Sequence, residues 1–214
     1  MNDIAAIRKE YRLQSLNETD AQDEPMQQFD RWWQDALHSR IEEVNAMTLV
    51  TATREGKPSA RIVLLKGYDE NGFCFFTNYA SKKGQELGGN PQAALVFFWK
   101  ELERQVRIEG IAEKLSEEES DTYFNSRPPE SRLGAWSSPQ SAVIGSRDIL
   151  ESNMAEYKEK FGRSTIPRPP HWGGYRIVPA LIEFWQGREN RLHDRLQYTR
   201  DLHSERWSRV RLAP

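Results

Sequence analysis

Between Ala46 and Leu115 the chain repeats one pattern: a short run rich in β-branched and aromatic residues, a tight turn, then another such run. Ala46 to Thr53 reads as a strand, Arg54 to Lys57 with Gly56 as a hairpin turn, and Ser59 to Tyr68 as the partner strand around Ile62, Val63, Leu64 and Leu65. Asp69, Glu70, Asn71 and Gly72 punctuate a second hairpin into Phe73 to Thr77, so the region opens as a meander. Two further strands are expected from Ala93 to Trp99 and from Arg104 to Leu115. Five strands this closely linked predict a small antiparallel barrel and not an alternating βαβ sheet.

Helices are expected around that barrel. From Phe29 through Trp33, Ala36, Leu37, Ile41 and Val44 the apolar positions recur every three or four residues, the stripe of an amphipathic helix, with Pro25 suited to its first turn. Ser81, Lys82, Lys83, Gly84 and Gln85 can open a short helix ending at Gly88, Gly89, Asn90 and Pro91, with glycines suited to a C-terminal cap. Ser116 begins a capping box with Glu119, and that helix should stop before Pro128 and Pro129. Another is expected from Arg147 to Phe161, then a rigid irregular loop from Ile166 to Gly174. Late strands are predicted over Tyr175 to Val178, Leu181 to Gln186, Arg195 to Thr199 and Arg206 to Leu212. Upstream, Arg8, Lys9, Glu10, Tyr11 and Arg12 offer few apolar anchors, so residues 1–20 are expected to form a loosely docked helix or a mobile arm on one domain spanning 21–214. The fold class is mainly β with flanking helices (α+β).

Composition narrows the class without choosing a function. The chain has 214 residues, enough for a substantial core, and its 30 basic and 32 acidic residues leave a net charge of -2. No global positive field argues for nucleic acid or an anionic membrane, so any anion site must be local. The sole cysteine, Cys74, lies in the apolar run Phe73 to Phe76, where a buried structural thiol is expected. No Cys and His set has zinc spacing, and no metal is expected. The N-terminus lacks a signal-peptide core and no run approaches the ~20 apolar residues of a membrane span. The expected setting is soluble, reducing and cytoplasmic.

No glycine-rich phosphate loop is present, so anions must be met by side chains and helix ends. Arg61 and Lys66 flank Ile62 to Leu65, on opposite faces unless a bulge intervenes. Ser81, Lys82 and Lys83 stand at a helix start, suited either to a phosphate or to plain solvent exposure. Tyr123 and Arg127, one helical turn apart, with Ser131 and Arg132 after two prolines, make either a phosphate cradle or an ordinary helix end, with the prolines presenting Ser131 from a stiff loop. Near the C-terminus, Phe184, Trp185, Gln186 and Gly187 lead to Arg191, Leu192, His193, Asp194 and Arg195. An extended run would turn Arg191, His193 and Arg195 to one face, as an anion or ring site or as a solvated edge strand.

Taken in order, these motifs resemble the pyridoxine (pyridoxamine) 5'-phosphate oxidase family over almost the whole chain. The residues that carry the resemblance are Arg61 to Lys66, Thr77 and Asn78 with Ser81 to Lys83, Glu103 to Val106, Tyr123 to Pro128, Gly134 to Trp136 with Gln140 and Ser141, Phe184 to Gly187, Arg191 to Arg195, and Arg211 to Pro214. The resemblance implies a split β-barrel of the FMN-binding type, working as a homodimer with FMN in clefts between subunits. It implies oxidation of pyridoxine or pyridoxamine 5'-phosphate to pyridoxal 5'-phosphate by O2. Arg61, Ile62, Val63, Leu64, Leu65, Lys66, Phe76, Thr77, Lys82, Lys83, Gln105, Gln140, Ser141, Trp185 and Arg195 fall on FMN-contacting positions. Lys66, Tyr123, Arg127 and Ser131 match a substrate-phosphate cradle, Arg191 and His193 match catalytic residues over the substrate ring, and Arg8 and Tyr11 resemble a lid. Phe76 stands where the family often has Tyr, and Lys82 where it often has Arg, which leaves Lys82 a point charge without a bidentate fork. The rivals are a split-barrel protein that binds FMN or pyridoxal phosphate without turnover, and a nicotinamide-dependent flavin reductase. The first would lack a substrate cradle, and the second leaves Tyr123, Arg127, Arg191 and His193 without a purpose.

Overall fold

The computed structural model describes residues 4, 9–162, 164–201 and 204–214. Among these, nine strands form one antiparallel sheet and five α-helices flank it. β1 (Ala46–Ala52) and β2 (Pro58–Leu64) form the first hairpin, and β3 (Gly67–Asp69) and β4 (Gly72–Asn78) the second. β5 (Gln92–Trp99) and β6 (Arg104–Lys114) pair with each other, and β5 also borders β1. The meander ends at β4, which pairs with β7 (Trp172–Gln186), while β7 also pairs with β6 along its length.

Closure comes from a change of partner along one stretch of chain. Pro58–Leu64 pairs with β1, and after an interruption at Leu65 and Lys66 the same chain pairs with β4, so the two ends of the sheet order are covalently continuous. The Lys66 N–H donates to the Cys74 carbonyl at 2.8 Å and fixes the switch. The interruption also settles the parity of Arg61 and Lys66, since alternation is lost where the strand breaks.

The two late strands expected at 175–178 and 181–186 are one strand, β7. Gly110 faces Pro179 while Glu109 faces Leu181, so Ala180 is the extra residue of a bulge, a place where a proline without an N–H is tolerated. β8 (Asp194–Arg200) pairs with the C-terminal half of β7, and β9 (Trp207–Arg211) with β8.

α1 (Pro25–Leu37) starts with its proline in the first turn, but ends earlier than the apolar pattern suggests. His38 Nδ1 contacts the Gln34 carbonyl and Ser39 Oγ donates to that of Ala36, so side chains take up the last carbonyls. Its buried face is Gln28, Phe29, Trp32 and Ala36, whereas Leu37 is exposed; Ile41 and Val44 reach the core from the following turn. Phe29 meets Phe73 and Phe97, the centre of a barrel core completed by Trp99, Phe184 and Tyr198. Burying each such ring stabilises the fold by roughly 1.5–3 kcal/mol. α2 (Lys82–Gly89) contains both glycines expected to cap it and ends instead at an extended Asn90, whose side chain donates to the Thr53 carbonyl.

α3 (Glu117–Ser126) has the expected capping box of Ser116 and Glu119. α4 (Pro129–Ser137) replaces the predicted stiff loop: Pro129 lies in its first turn, where a missing N–H is harmless. α5 (Asp148–Phe161) packs on α4, and Phe124, Leu133, Ile166 and Trp172 make a second, smaller core. Cys74 is half-buried beside Arg176, with burial pushing its thiol up, as suits a structural residue. No helix among the described residues is long and apolar enough to cross a membrane, and no group of three His, Cys, Asp or Glu there converges on a metal position.

Candidate active site

A cleft of about 720 Å³ opens where β2, the end of β4, and helices α2, α3 and α4 meet. Arg61, Ile62, Val63, Leu64, Lys66, Phe76, Thr77, Lys83, Tyr123, Arg127, Ser131 and Gln140 all line it. The Leu65 side chain points into the barrel core instead. Helix α4 presents Ser131, Gly134, Ala135 and Ser138, a spacing of three and four that sets one face toward the cleft, and the small residues keep it open. The sequence pattern missed this helix, and with it Trp172, because a double proline beside an arginine looks like a loop. The usable signal was the proline at a first helical position followed by small residues at helical spacing.

One end of the cleft gathers two cations, Lys83 and Arg61. Lys83 Nζ lies 3.3 Å from Thr77 Oγ1, 3.4 Å from Ser81 Oγ and 3.3 Å from Gln140 Oε1. Arg61 donates to the Leu49 carbonyl and to the Thr51 and Ser59 hydroxyls, and meets Glu86 Oε2 at 3.4 Å. Glu86 is buried and also accepts from the Thr51 and Ser59 hydroxyls. Burial acts to raise its carboxyl, but the hydrogen bonds from Ser59 and Thr51 and the charges of Arg61 and Lys82 prevail and hold it below the usual range. Lys83 is pushed down, first by burial and then by Arg61. Two cations that disfavour one another in a half-buried cleft suit a phosphate, which relieves both penalties. Gly84 makes this possible, since a Cβ there would fall 2.3 Å from the Tyr79 carbonyl oxygen and push α2 off the end of β4. Lys82 does not line the cleft: its side chain is exposed, with Nζ 3.9 Å from Glu86. Neither Glu86 nor its hydroxyl partners were singled out from sequence, where a lone glutamate in a short helix carries no signal.

The other end holds Lys66, Tyr123, Arg127 and Ser131 together. Tyr123 stacks on Phe76 with ring centroids 3.9 Å apart, and Phe76 on Trp172 at 5.6 Å, so the Phe76 ring serves as an apolar support. The Arg127 guanidinium lies 4.7 Å from the Trp172 ring centroid, yet its buried Nη1 has no hydrogen-bond partner among the described residues. Buried donors are rarely left so, and burial lowers the pKa of this guanidinium. The arrangement fits a second anionic group.

The C-terminal motif builds a different surface. Trp185 on β7 lies between its strand partners Gln105 on β6 and Arg195 on β8. His193 packs on Trp185 with ring centroids 4.5 Å apart, and Tyr11 approaches both rings edge-on. The expected alternation of Arg191, His193 and Arg195 is absent: Glu189–Arg191 is a 3₁₀ turn, Asn190 and Arg191 have φ of 55° and 61°, and β8 begins only at Asp194. Arg195 is committed to a bidentate pair with Glu183 at 2.8 and 3.0 Å. His193 Nδ1 accepts the Arg188 N–H at 3.1 Å, which places the proton of a neutral ring on Nε2. Burial, with help from Arg191 and against Asp194, holds this imidazole below its ordinary value. Ser141 is exposed at φ 72° outside both clusters, and Arg8 lies outside the described residues. None of Gln105, Trp185, Arg191, His193 or Arg195 lines the cleft of Arg61 and Arg127.

A closed antiparallel barrel with flanking helices and a cation-lined cleft defines the class of flavin-nucleotide-binding split barrels. Residues 33–161 match the family model described as pyridoxamine 5'-phosphate oxidase, and residues 172–214 the model described as the pyridoxine 5'-phosphate oxidase C-terminal dimerisation region. The chain is 58% identical over 211 residues to pyridoxine/pyridoxamine 5'-phosphate oxidase of Trichormus variabilis, covering 99% of this chain and 98% of that protein. It is 57% identical over 214 residues to pyridoxine/pyridoxamine 5'-phosphate oxidase 1 of Ralstonia nicotianae, covering all of both. Among solved structures, PhzG from Burkholderia lata, in complex with tetrahydrophenazine-1-carboxylic acid, superposes with a TM-score of 0.87 at 33% identity over 94% of this chain and 99% of that one. The chain belongs to the pyridoxine/pyridoxamine 5'-phosphate oxidase family, its cofactor is FMN, and its C-terminal strands are the family's dimerisation region.

Proposed function

We propose that this protein oxidises pyridoxine 5'-phosphate and pyridoxamine 5'-phosphate to pyridoxal 5'-phosphate, with O2 as final acceptor and H2O2 as by-product, in a cytoplasmic setting. The observation that carries the reading is two anion-binding ends in one cleft, Arg61 with Lys83 at one and Lys66, Tyr123, Arg127 and Ser131 at the other. A cofactor phosphate and a substrate phosphate need such a pair, and a split barrel that only stores a flavin needs one. FMN, when bound, supplies the two-electron acceptor that no side chain offers. Thr77, Lys83 and Gln140 would hold its phosphate end together with Arg61, and the exposed Lys82 would add longer-range positive charge.

Lys66, Tyr123, Arg127 and Ser131 then anchor the substrate phosphate, fixing the substrate carbon that loses hydrogen; such orientation contributes on the order of 7–11 kcal/mol in favourable intramolecular reactions. Gln105, Trp185 and Arg195 on the dimerisation surface of the other subunit would complete the cofactor site, and Arg191 and His193 would lie over the substrate ring. A neutral His193 donates from Nε2 and orients that ring without adding a cation. From the amine substrate, carbon and nitrogen each give up one hydrogen, and water hydrolyses the resulting imine to aldehyde and ammonia. Residues 1–20 act as an arm over a single domain of residues 21–214, with Tyr11 facing the substrate.

Oxygen consumption by FMN-loaded protein with pyridoxamine 5'-phosphate, against unphosphorylated pyridoxamine, tests this. Turnover that requires the phosphate is expected. Bound flavin with no turnover of either compound would favour a non-catalytic flavin carrier.

A further inference from the structure

Glu103 sits in a left-handed conformation, φ 55°, between the 3₁₀ turn Lys100–Leu102 and β6, and is only 2% exposed. A buried carboxylate is costly without partners, and every side-chain partner of Glu103 among the described residues lies on the N-terminal segment. Oε2 accepts the backbone N–H groups of Arg12 at 2.8 Å and Leu13 at 3.1 Å, and Oε1 lies 3.3 Å from Lys9 Nζ. On its other side, the Glu103 carbonyl accepts the Gly187 N–H at 2.7 Å and Gln186 Nε2 at 3.2 Å. One residue therefore grips the arm through its side chain and the Trp185 loop through its main chain.

Tyr11 lies between those two grips. A Cβ on Gly187 would come within 2.7 Å of the Tyr11 ring, so this glycine is the floor on which the ring rests. The ring then meets Trp185 at 5.8 Å and His193 at 6.0 Å. A second anchor stands further along: Asp194 accepts the Leu16 N–H at 3.0 Å and pairs with Arg211, which also donates to the Leu16 carbonyl and to the Glu18 carboxylate. Both carboxylates take main-chain N–H groups, so what they recognise is the extended path of the arm.

We propose that Glu103 is a positioning residue, a buried latch that seats the N-terminal arm and through it holds Tyr11 against the Trp185 and His193 surface. Its value to turnover rests on reading that surface as the substrate side. If the arm lifts, Glu103 loses its described side-chain partners at once, which biases the arm toward the seated state.

The experiment compares FMN-loaded wild type with Glu103→Gln, Glu103→Ala, Tyr11→Ala and the Glu103→Ala/Tyr11→Ala double variant. Expected for Glu103→Ala are trypsin cleavage after Lys9 and Arg12 at least about tenfold faster, FMN affinity within about twofold, and kcat/KM for pyridoxamine 5'-phosphate lowered about tenfold. Glu103→Gln, which keeps an oxygen for the two N–H groups, should recover part of that loss. The double variant should lose little more than Tyr11→Ala alone, because the latch acts through that ring. Unchanged cleavage, or losses in kcat/KM that add in the double variant, would overturn the latch. If wild type turns over neither B6 phosphate, the oxidase reading fails by itself, and the cleavage rates still decide whether Glu103 holds the arm.

Discussion

Arg127 gives the most direct expectation at the scale of single residues. Its Nη1 has no partner among the described residues and stands ready for an anion, so Arg127→Ala should raise KM for phosphorylated substrate at least tenfold, with little change in the melting temperature of the FMN-loaded protein. An unchanged KM in steady-state assays would remove it from the cradle. Lys83→Ala should instead weaken FMN binding by roughly tenfold or more, read by flavin fluorescence, since its Nζ is gathered at the opposite end by Thr77, Ser81 and Gln140. His193 carries a pH expectation. Its folded-state value lies below the ordinary 6.5, so its imidazole should titrate below that pH in an NMR experiment, and a midpoint above 6.5 would contradict the burial that depresses it. The sign follows: any stability from the neutral ring is complete above the unfolded value of about 6.5 and is lost as pH falls through the lower folded value. Spacing marked these residues as candidates that suited a bland role as well, and the family resemblance gave them theirs. Glu86 was not marked, because a carboxylate that works from beneath a cationic site looks, in one dimension, like any surface glutamate, and Glu103 was read only as part of a motif, with no hint of the arm it holds.

Elements differed in how openly they announced themselves. The hairpins did so through Gly56 and the Asp69 to Gly72 turn, and α3 through the Ser116 and Glu119 capping box. Ser116→Ala should cost about 1 kcal/mol, seen as a lower urea midpoint with an unchanged slope. The failures share a cause, since each depended on particular side-chain or strand partners that an apolar period does not show. Helix α1 stops where Ser39 and His38 capture its carbonyls, not where its apolar period ends. Gly88 and Gly89 are absorbed into α2 because Asn90 can reach Thr53. The run from Arg191 to Arg195 is half turn and half strand, because β8 can pair only as far as β7 offers Gln186 as a partner to Asp194.

For the molecule as a whole, β7 is the shared member: its first half borders β4, its second half borders β8, and β6 runs along the other edge throughout. Amides in the middle of β6 and β7 should therefore be among the last to exchange with solvent, together and not in two stages; early, separate exchange of the β8 side would show a divisible fold. The antiparallel barrel was readable from strand spacing alone, whereas its closure was not, since a change of partner at Leu65 and Lys66 leaves no mark in composition. One feature reaches beyond the single chain. The cleft with Arg127 and the surface with His193 are separate regions of one subunit, and under the proposed function each site joins one subunit's cleft to its neighbour's surface, so a lesion in either disables a site that the neighbour must complete. A cell carrying one allele with Arg127→Ala and another with His193→Ala would assemble mixed dimers, each with one undamaged site of two. Two alleles that fail alone would then complement one another, restoring about a quarter of normal activity if subunits pair at random.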